Sequence, residues 1–163
     1  MPVVDLIGLP KLLKPGQRLA GLDVGSKTIG VAVSDVMRTL ATPLETVKRG
    51  KFLPDAQRLF DIARRYDVGG LVVGLPLALD GSEGPRCQSV RQFAANLLAV
   101  QDLPLAFQDE RLSTAAVERV LIEDLDMTRR RRAEVVDRAA AAYILQGALD
   151  RLANLARSAP PSP

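Results

Sequence analysis

Residues 20–35 read AGLDVGSKTIGVAVSD, and this stretch decides the fold. Two runs rich in β-forming residues, 18–24 and 29–34, flank a turn that contains Gly25, so the pattern predicts a β-hairpin. Asp23 lies inside the first run, where burial of an unpaired carboxylate would be costly. We therefore expect a positively charged partner beside Asp23.

The rest of the chain predicts further strands and helices in a definite order. Strands are expected at residues 44–48, 70–75 and 105–109, and helices at residues 54–66, 89–99, 113–124 and 128–156. Strands that alternate with helices indicate parallel crossovers, whereas the early run of three strands indicates an antiparallel meander. An α/β fold with a mixed sheet and helices on both faces satisfies both patterns.

The length of 163 residues is that of one ordinary domain. Prolines and a Pro-Gly pair punctuate residues 1–17, and the chain ends in SAPPSP. We therefore expect a flexible N-terminal extension at residues 1–17, a folded domain at 18–157 and a flexible tail at 158–163.

The composition excludes several classes of function. The chain has no histidine and a single cysteine, Cys87, which excludes internal disulfides, zinc sites and histidine acid–base chemistry. Catalysis would depend on carboxylates, lysine, hydroxyls or a bound metal ion. The apolar runs fall far short of the roughly 20 residues that span a bilayer, and the first residues lack the features of a signal peptide. We expect a cytoplasmic protein with no membrane partner, and its net charge of +3 permits an anionic one.

Acidic residues at three places in the chain are candidate ligands or catalysts. Asp109 and Glu110 are adjacent, so alternation along a strand sends their side chains to opposite faces unless the strand ends between them. Only one of the two can readily join Asp23. Asp137 interrupts a helical stripe of small and apolar residues: Ala133, Ala140, Ala141 and Ile144. Carboxylates that converge raise one another's pKa values unless a cation lies between them.

Four segments together resemble a known family. AGLDVGSKTIGVAVSD, VVGLPLALDGSEGP, DERLST and RRRRAEVVDRAAAAYILQ stand in the order and spacing of the YqgF family, whose members are described as pre-16S rRNA nucleases or Holliday junction resolvases. The resemblance covers residues 18–150. It implies a ribonuclease H-like mixed five-stranded sheet with helices on both faces and Asp23 in the central strand. The match to the DER segment makes Glu110 the second acid, with Asp109 as the alternative.

The resemblance also implies an activity. Asp23, Glu110 and Asp137 would be catalytic and would hold Mg²⁺ or Mn²⁺, since ligand sets of hard oxygen atoms favour these ions. Bound ions would activate a water molecule and stabilise the leaving oxygen in phosphodiester hydrolysis. The implied protein is a metal-dependent endonuclease for the 5′ end of precursor 16S rRNA; a Holliday junction resolvase and a non-enzymatic RNA-binding assembly factor are the alternatives. The sequence does not decide between a monomer and a dimer.

Cations near these segments are candidate phosphate ligands. The strongest signal is a run of four arginines: Arg129, Arg130, Arg131 and Arg132. Positive charge at a helix start opposes the helix dipole, whereas phosphate contacts would explain it because arginine binds phosphate bidentately. A solvated basic turn is the alternative. Lys27 and Arg111 are further candidate substrate-binding residues, and an ordinary exposed turn lysine is the alternative for Lys27. The loop at residues 80–84 is either a substrate-facing flap or an ordinary surface connection.

The DVGSKTIG turn is also similar to the phosphate-binding hairpin of actin-type and hexokinase-type ATPases. That family needs two such domains and a second glycine-rich phosphate turn, whereas this chain has the length of one domain. For the nuclease, Gly25 and Gly30 would let a phosphate backbone come close to the sheet edge, because neither residue has a side chain.

Overall fold

The computed structural model describes the backbone of residues 3–112 and 129–158 and the side chains of residues 3–111 and 138–158. The strands and helices in these residues are, in chain order, β1 Arg18–Val24, β2 Thr28–Ser34, β3 Ala41–Lys48, α1 Phe52–Arg65, β4 Val68–Leu75, α2 Pro85–Val100, β5 Leu105–Asp109 and α3 Arg129–Ser158. Short 3-10 turns lie at Leu6–Gly8, Pro10–Leu12 and Glu110–Leu112. The helix predicted at residues 113–124 lies outside the described residues. Within the described part of the chain, no helix is both long and apolar enough to cross a membrane.

A five-stranded sheet in the order β3-β2-β1-β4-β5 forms the centre of the protein. β1 pairs antiparallel with β2, and β2 with β3, whereas β1 pairs parallel with β4, and β4 with β5. α2 connects β4 to β5, as a parallel neighbour requires. The mixed sheet with β1 at its centre confirms the α/β fold class expected from the sequence.

Helices cover both faces of this sheet. On one face α1 and α2 bury Phe60 and Leu97 against strand residues such as Leu22. On the other face α3 buries Leu145 against strand residues such as Val72. The two apolar cores stabilise the sheet from both sides, because each removes apolar surface from water.

Gly21 lets α3 lie directly on the central strand. A Cβ atom at this position would be 2.7 Å from Leu145 Cβ and 2.9 Å from the carbonyl oxygen of Ala141. Both distances are far below the ~3.5 Å of an ordinary nonbonded contact between carbon atoms. Any larger residue at position 21 would therefore push α3 away from the sheet.

The contacts of Gln146 show that α3 runs antiparallel to β1. Its Oε1 accepts a hydrogen bond of 2.9 Å from Ala41 N, and Ala41 pairs with Ser34 at the end of β2. The Ser34 hydroxyl accepts a hydrogen bond of 3.0 Å from Leu19 N, near the start of β1. Earlier residues of α3 lie over Gly21, further along β1. The N-terminal part of α3 therefore extends towards the end of β1.

The segment before β1 packs against the domain, in contrast to the flexible extension expected. Leu6 and Leu9 are 4% and 0% exposed in the core beneath α3, and Val4 N donates a hydrogen bond of 2.9 Å to Leu105 O. A Cβ atom at Gly70 of β4 would be 3.0 Å from Leu9 Cδ1. The two leucines bury apolar area, which stabilises this packing and which local proline content does not reveal.

Candidate active site

Asp23 lies in the central strand with its side chain on the α3 face. Leu22 and Val24 on either side of it belong to the opposite core, and side chains alternate along a strand. Asp23 is 6% exposed. Its neighbours in the sheet are Gly30, its partner in β2, and Gly74, one position beyond the last pair of β1 and β4. Because neither neighbour has a side chain, space is left beside Asp23 for other groups.

Glu110 fills the space over Gly74. A Cβ atom at Gly74 would be 2.9 Å from Glu110 Oε1 and 3.1 Å from Glu110 Cγ. Since neighbouring strands are about 4.8 Å apart, the Glu110 carboxylate lies within roughly 8 Å of the Asp23 side chain. The structure thus brings these two acids together on one face of the sheet. The positively charged partner expected for Asp23 stays a prediction.

Asp109 points to the opposite face and pairs with Arg111. It is the β5 partner of Leu75, which belongs to the core under α1 and α2. Arg111 Nη2 and Nε donate hydrogen bonds of 2.7 and 3.1 Å to the two oxygens of the Asp109 carboxylate. These hydrogen bonds hold the pKa of Asp109 below its usual range. β5 ends at Asp109, but the two side chains still lie on opposite faces, since Asp109 lies beside Leu75 and Glu110 lies over Gly74.

Arg111, predicted to bind substrate, is engaged in contacts within the protein. Besides Asp109, its Nη1 donates a hydrogen bond of 3.0 Å to Leu79 O, in the loop between β4 and α2. That loop is itself an ordered turn, because Asp80 Oδ1 accepts hydrogen bonds of 2.9 and 2.6 Å from the N–H and hydroxyl of Ser82. The Asp-Gly-Ser triplet is a sequence signal for such an Asx turn. The role of the loop as a substrate-facing flap stays a prediction.

The remaining candidate residues lie at the same end of the sheet or outside the described side chains. Lys27 is exposed in the turn between β1 and β2. Residues 129–132 and Asp137 belong to the backbone of α3, and their side chains are not among those described. Position 137 precedes Ala141 by four residues, about 6 Å of helix. Since α3 runs antiparallel to β1, the backbone at position 137 lies towards the end of β1.

The oxygen atoms of Asp23 and Glu110 are of the kind that a hard cation prefers. Among the side chains of residues 3–111 and 138–158, no three carboxylate or thiol groups converge closely enough to hold a metal ion. Cys87 is buried, and its Sγ donates a hydrogen bond of 3.1 Å to Pro76 O. Asp23 and Glu110 are therefore the described part of the candidate site, and both supply the oxygen atoms that Mg²⁺ prefers.

The fold and these acids define a class of α/β proteins with carboxylates at the end of the central strand, facing a long helix. A family of sequences described as "RuvX: Holliday junction resolvase" matches residues 17–151. The chain belongs to the RuvX family, which confirms the resemblance found in the sequence.

Curated relatives match nearly the whole chain. A protein of Rhodospirillum rubrum named "Putative pre-16S rRNA nuclease" is 62% identical over 152 residues, which are 93% of this chain and 94% of that protein. A protein of the same name from Paramagnetospirillum magneticum is 58% identical over 156 residues, 96% of this chain and 100% of that protein.

Two solved structures share the fold. RuvC of Thermus thermophilus, solved in complex with a Holliday junction substrate, aligns with a TM-score of 0.52 at 15% identity, over 83% of this chain and 96% of that one. The yeast mitochondrial Holliday junction resolvase aligns with a TM-score of 0.53 at 11% identity, over 94% of this chain and 86% of that one. At these identities the likeness concerns the fold, and it confirms the ribonuclease H-like class.

Proposed function

We propose that this protein is a metal-dependent endonuclease that hydrolyses phosphodiester bonds. The observation that carries the proposal is the pair of acids, Asp23 and Glu110, on one face of the sheet at the end of its central strand. Membership of the RuvX family supports the same class of reaction.

Asp137 is the proposed third acid of the active site. The helical period places positions 137 and 141 on the same side of α3, and Ala141 lies against β1. Position 137 is one turn closer to the end of β1, where Asp23 lies. Three carboxylates at this place would repel one another and raise one another's pKa values, and a bound divalent cation would relieve that repulsion.

Mg²⁺ or Mn²⁺ is the proposed cofactor, held by Asp23, Glu110 and Asp137. Oxygen ligands favour these ions, and the chain has no histidine that would favour zinc. Such ions supply the activation of a water molecule and the stabilisation of the leaving oxygen when they are bound. The chain itself supplies placement, because Asp23 is fixed in the central strand and Glu110 is fixed over Gly74.

The 5′ end of precursor 16S rRNA is the proposed substrate, processed in the cytoplasm during ribosome biogenesis. Relatives 62% and 58% identical carry the name of this activity. Lys27 and the arginines at 129–132 are proposed to bind its phosphates. Arg111 is proposed to position the loop between β4 and α2, because its guanidinium already binds Asp109 and Leu79 O.

A Holliday junction resolvase is the second candidate function. The family description and the two resolvase structures favour it. A resolvase cuts two strands and therefore needs two active sites, which a dimer of this chain would provide.

Cleavage assays with purified protein separate these functions. A precursor 16S rRNA fragment and a four-way DNA junction are each incubated with Mg²⁺ and with Mn²⁺, and the mass of the native protein is measured in solution. We expect cleavage of the rRNA and its loss in Asp23→Asn and in Glu110→Gln. Glu45→Gln is a matched control, because the Glu45 carboxylate forms a surface ion pair of 2.7 Å with Arg58.

Each other outcome contradicts part of the proposal. Cleavage of the DNA junction alone, by a dimer, would identify a resolvase. Binding of rRNA without cleavage by the folded parent would identify an assembly factor whose acids are structural. Full activity in a folded acid variant would remove that acid from the active site.

A further inference from the structure

Three lysines lie at the same end of the sheet as the candidate active site. Lys48 is the last residue of β3 and pairs with Thr28, the first residue of β2. Lys27 precedes Thr28, and its carbonyl oxygen accepts a hydrogen bond of 2.9 Å from Arg49 N. Lys51 immediately precedes α1. The turn after β1, the end of β3 and the start of α1 thus bring the three side chains to one end of the sheet.

Lys48 lies on the same face as Asp23. Val47 belongs to the core beneath α1 and α2, so alternation along β3 turns Lys48 to the α3 face. Asp23 of β1 pairs with Gly30 of β2, and Gly30 pairs with Thr46 of β3. Lys48 therefore lies two strands across from Asp23 and two residues beyond Thr46. At about 4.8 Å per strand and about 3.3 Å per residue, the two Cα atoms are about 12 Å apart.

No acid among the described side chains forms an ion pair with these lysines. All three lysines are exposed, and the ion pairs formed within the described part of the chain involve other cations. Asp55, in the first turn of α1, is 7% exposed and accepts a hydrogen bond of 3.0 Å from Gly50 N. Glu45 of β3 pairs with Arg58. The start of α1 adds the positive end of a helix dipole, so the three lysines add positive charge that no ion pair among the described residues offsets.

Arg49 fixes the backbone of the turn that carries Lys27. Its Nη1 donates a hydrogen bond of 2.7 Å to Gly25 O in the turn after β1. Its guanidinium also lies 5.1 Å from the centre of the Phe93 ring in α2. Arg49 therefore has a structural explanation, and it fixes the turn that carries Lys27.

We propose that Lys27, Lys48 and Lys51, named here the lysine track, bind successive phosphates of the nucleic-acid strand that enters the candidate active site. The inference rests on the proposed nuclease function and adds a substrate path to it. Ammonium groups on flexible stems suit phosphates, and phosphate contacts fix the position of a strand without reading its sequence. With its Cα atom about 12 Å from that of Asp23, Lys48 would meet a phosphate a few nucleotides from the reacting bond.

The test compares two double variants that lose the same charge. Lys48→Ser with Lys51→Ser removes the two lysines of the track that lie outside the turn after β1. Lys11→Ser with Lys14→Ser is the control, because both residues are exposed lysines of the segment that packs at the opposite end of the sheet. Each pair is made in an Asp23→Asn background, so that a fluorescein-labelled single-stranded RNA of mixed sequence is bound without being cut.

The salt dependence of the dissociation constant is the readout. Loss of two phosphate contacts to a single strand should lower the log–log salt slope by about 1.4. The affinity loss of the track variant should then be about sevenfold larger at about 50 mM salt than at about 200 mM. The control pair should keep the slope of its background, and thermal melts confirm that all variants are folded.

Other outcomes separate the two proposals. An unchanged salt slope in the track variant would overturn the lysine track, and so would equal losses of RNA affinity in the track variant and the control variant. Either result would leave the nuclease proposal standing. A background protein that binds no RNA at all would overturn both.

Discussion

Gly74→Ala tests whether the glycine beside Asp23 is required to make room for Glu110. The added Cβ atom would lie 2.5 Å from Ile144 Cδ1, 2.9 Å from Glu110 Oε1 and 3.1 Å from Glu110 Cγ. Ordinary contacts require ~3.5 Å or more. The Ile144 methyl group must therefore move by about 1 Å, and the Glu110 carboxylate by about 0.5 Å or more.

The two displacements have different consequences. Both clashing groups are ends of flexible side chains, so the free energy of unfolding should fall by about 1 kcal/mol, the low end of the range for overpacking. The catalytic effect should be larger, because a misplacement of about 1 Å lowers the rate of a positioned reaction about 100-fold, so the displacement of about 0.5 Å at Glu110 should lower it about tenfold. We expect a folded protein with about 10% of the parent's Mg²⁺-dependent cleavage rate.

A second substitution separates the two clashes. Ile144→Val removes the Cδ1 atom that meets the new Cβ, so Gly74→Ala with Ile144→Val should regain stability without regaining activity. Gly21→Ala is the contrast, since its Cβ would meet Leu145 Cβ and the Ala141 carbonyl, which cannot rotate away. That variant should lose about 3 kcal/mol. Thermal melts measure the stability of these variants, and cleavage assays measure their activity. Full activity in a folded Gly74→Ala variant would refute the claim that Glu110 acts from its position over Gly74.

Three further predictions concern charged groups. The turn after β2 donates backbone hydrogen bonds of 2.7 and 3.0 Å to Asp35, which lower its pKa to about 2. These hydrogen bonds stabilise the ionised carboxylate, so Asp35→Asn should lower the free energy of unfolding by about 1 kcal/mol above about pH 4, after allowance for solvent screening. The difference between the two proteins should disappear as the pH falls towards about 2. Thermal melts across this pH range measure it. Arg111→Lys should raise the pKa of Asp109 towards its usual value and lower kcat more than it changes KM, measured by NMR titration and by cleavage kinetics; an unchanged kcat would contradict a positioning role. Substitution of serine for the four arginines at residues 129–132 should reduce the log–log salt slope of RNA binding by about 0.7 per lost phosphate contact. An unchanged slope would show that these arginines form a solvated face.

The hairpin and the mixed sheet could be predicted because they depend on local patterns. Alternating β-forming residues and a glycine turn identify β1 and β2, and the later alternation of strands with helices identifies the parallel pairs. The structure gives a local reason for Gly25, while the approach of a phosphate group to it stays a prediction. Its Cβ would lie 3.0 Å from Thr28 O, and its N–H donates a hydrogen bond of 2.9 Å to the same oxygen. The tight turn itself therefore explains this glycine.

The candidate site could be predicted only as a set of alternatives. Strand alternation shows that Asp109 and Glu110 cannot both face Asp23, but the choice depends on where β5 ends, which is a tertiary property. Contacts between distant segments were not visible in the sequence. They include the hydrogen bond from Arg111 to Leu79 O and the burial of Leu9, which a proline-rich segment does not suggest.

Direct titration of Mn²⁺ tests the central claim that the acids at the end of β1 hold a metal ion. Calorimetry measures binding to the parent, to Asp23→Asn, and to Glu45→Gln as a control that keeps the candidate site intact. We predict saturable binding by the parent and by Glu45→Gln, and a loss of that binding in Asp23→Asn. A folded Asp23→Asn that binds Mn²⁺ as the parent does would contradict the metal site and the nuclease mechanism built on it.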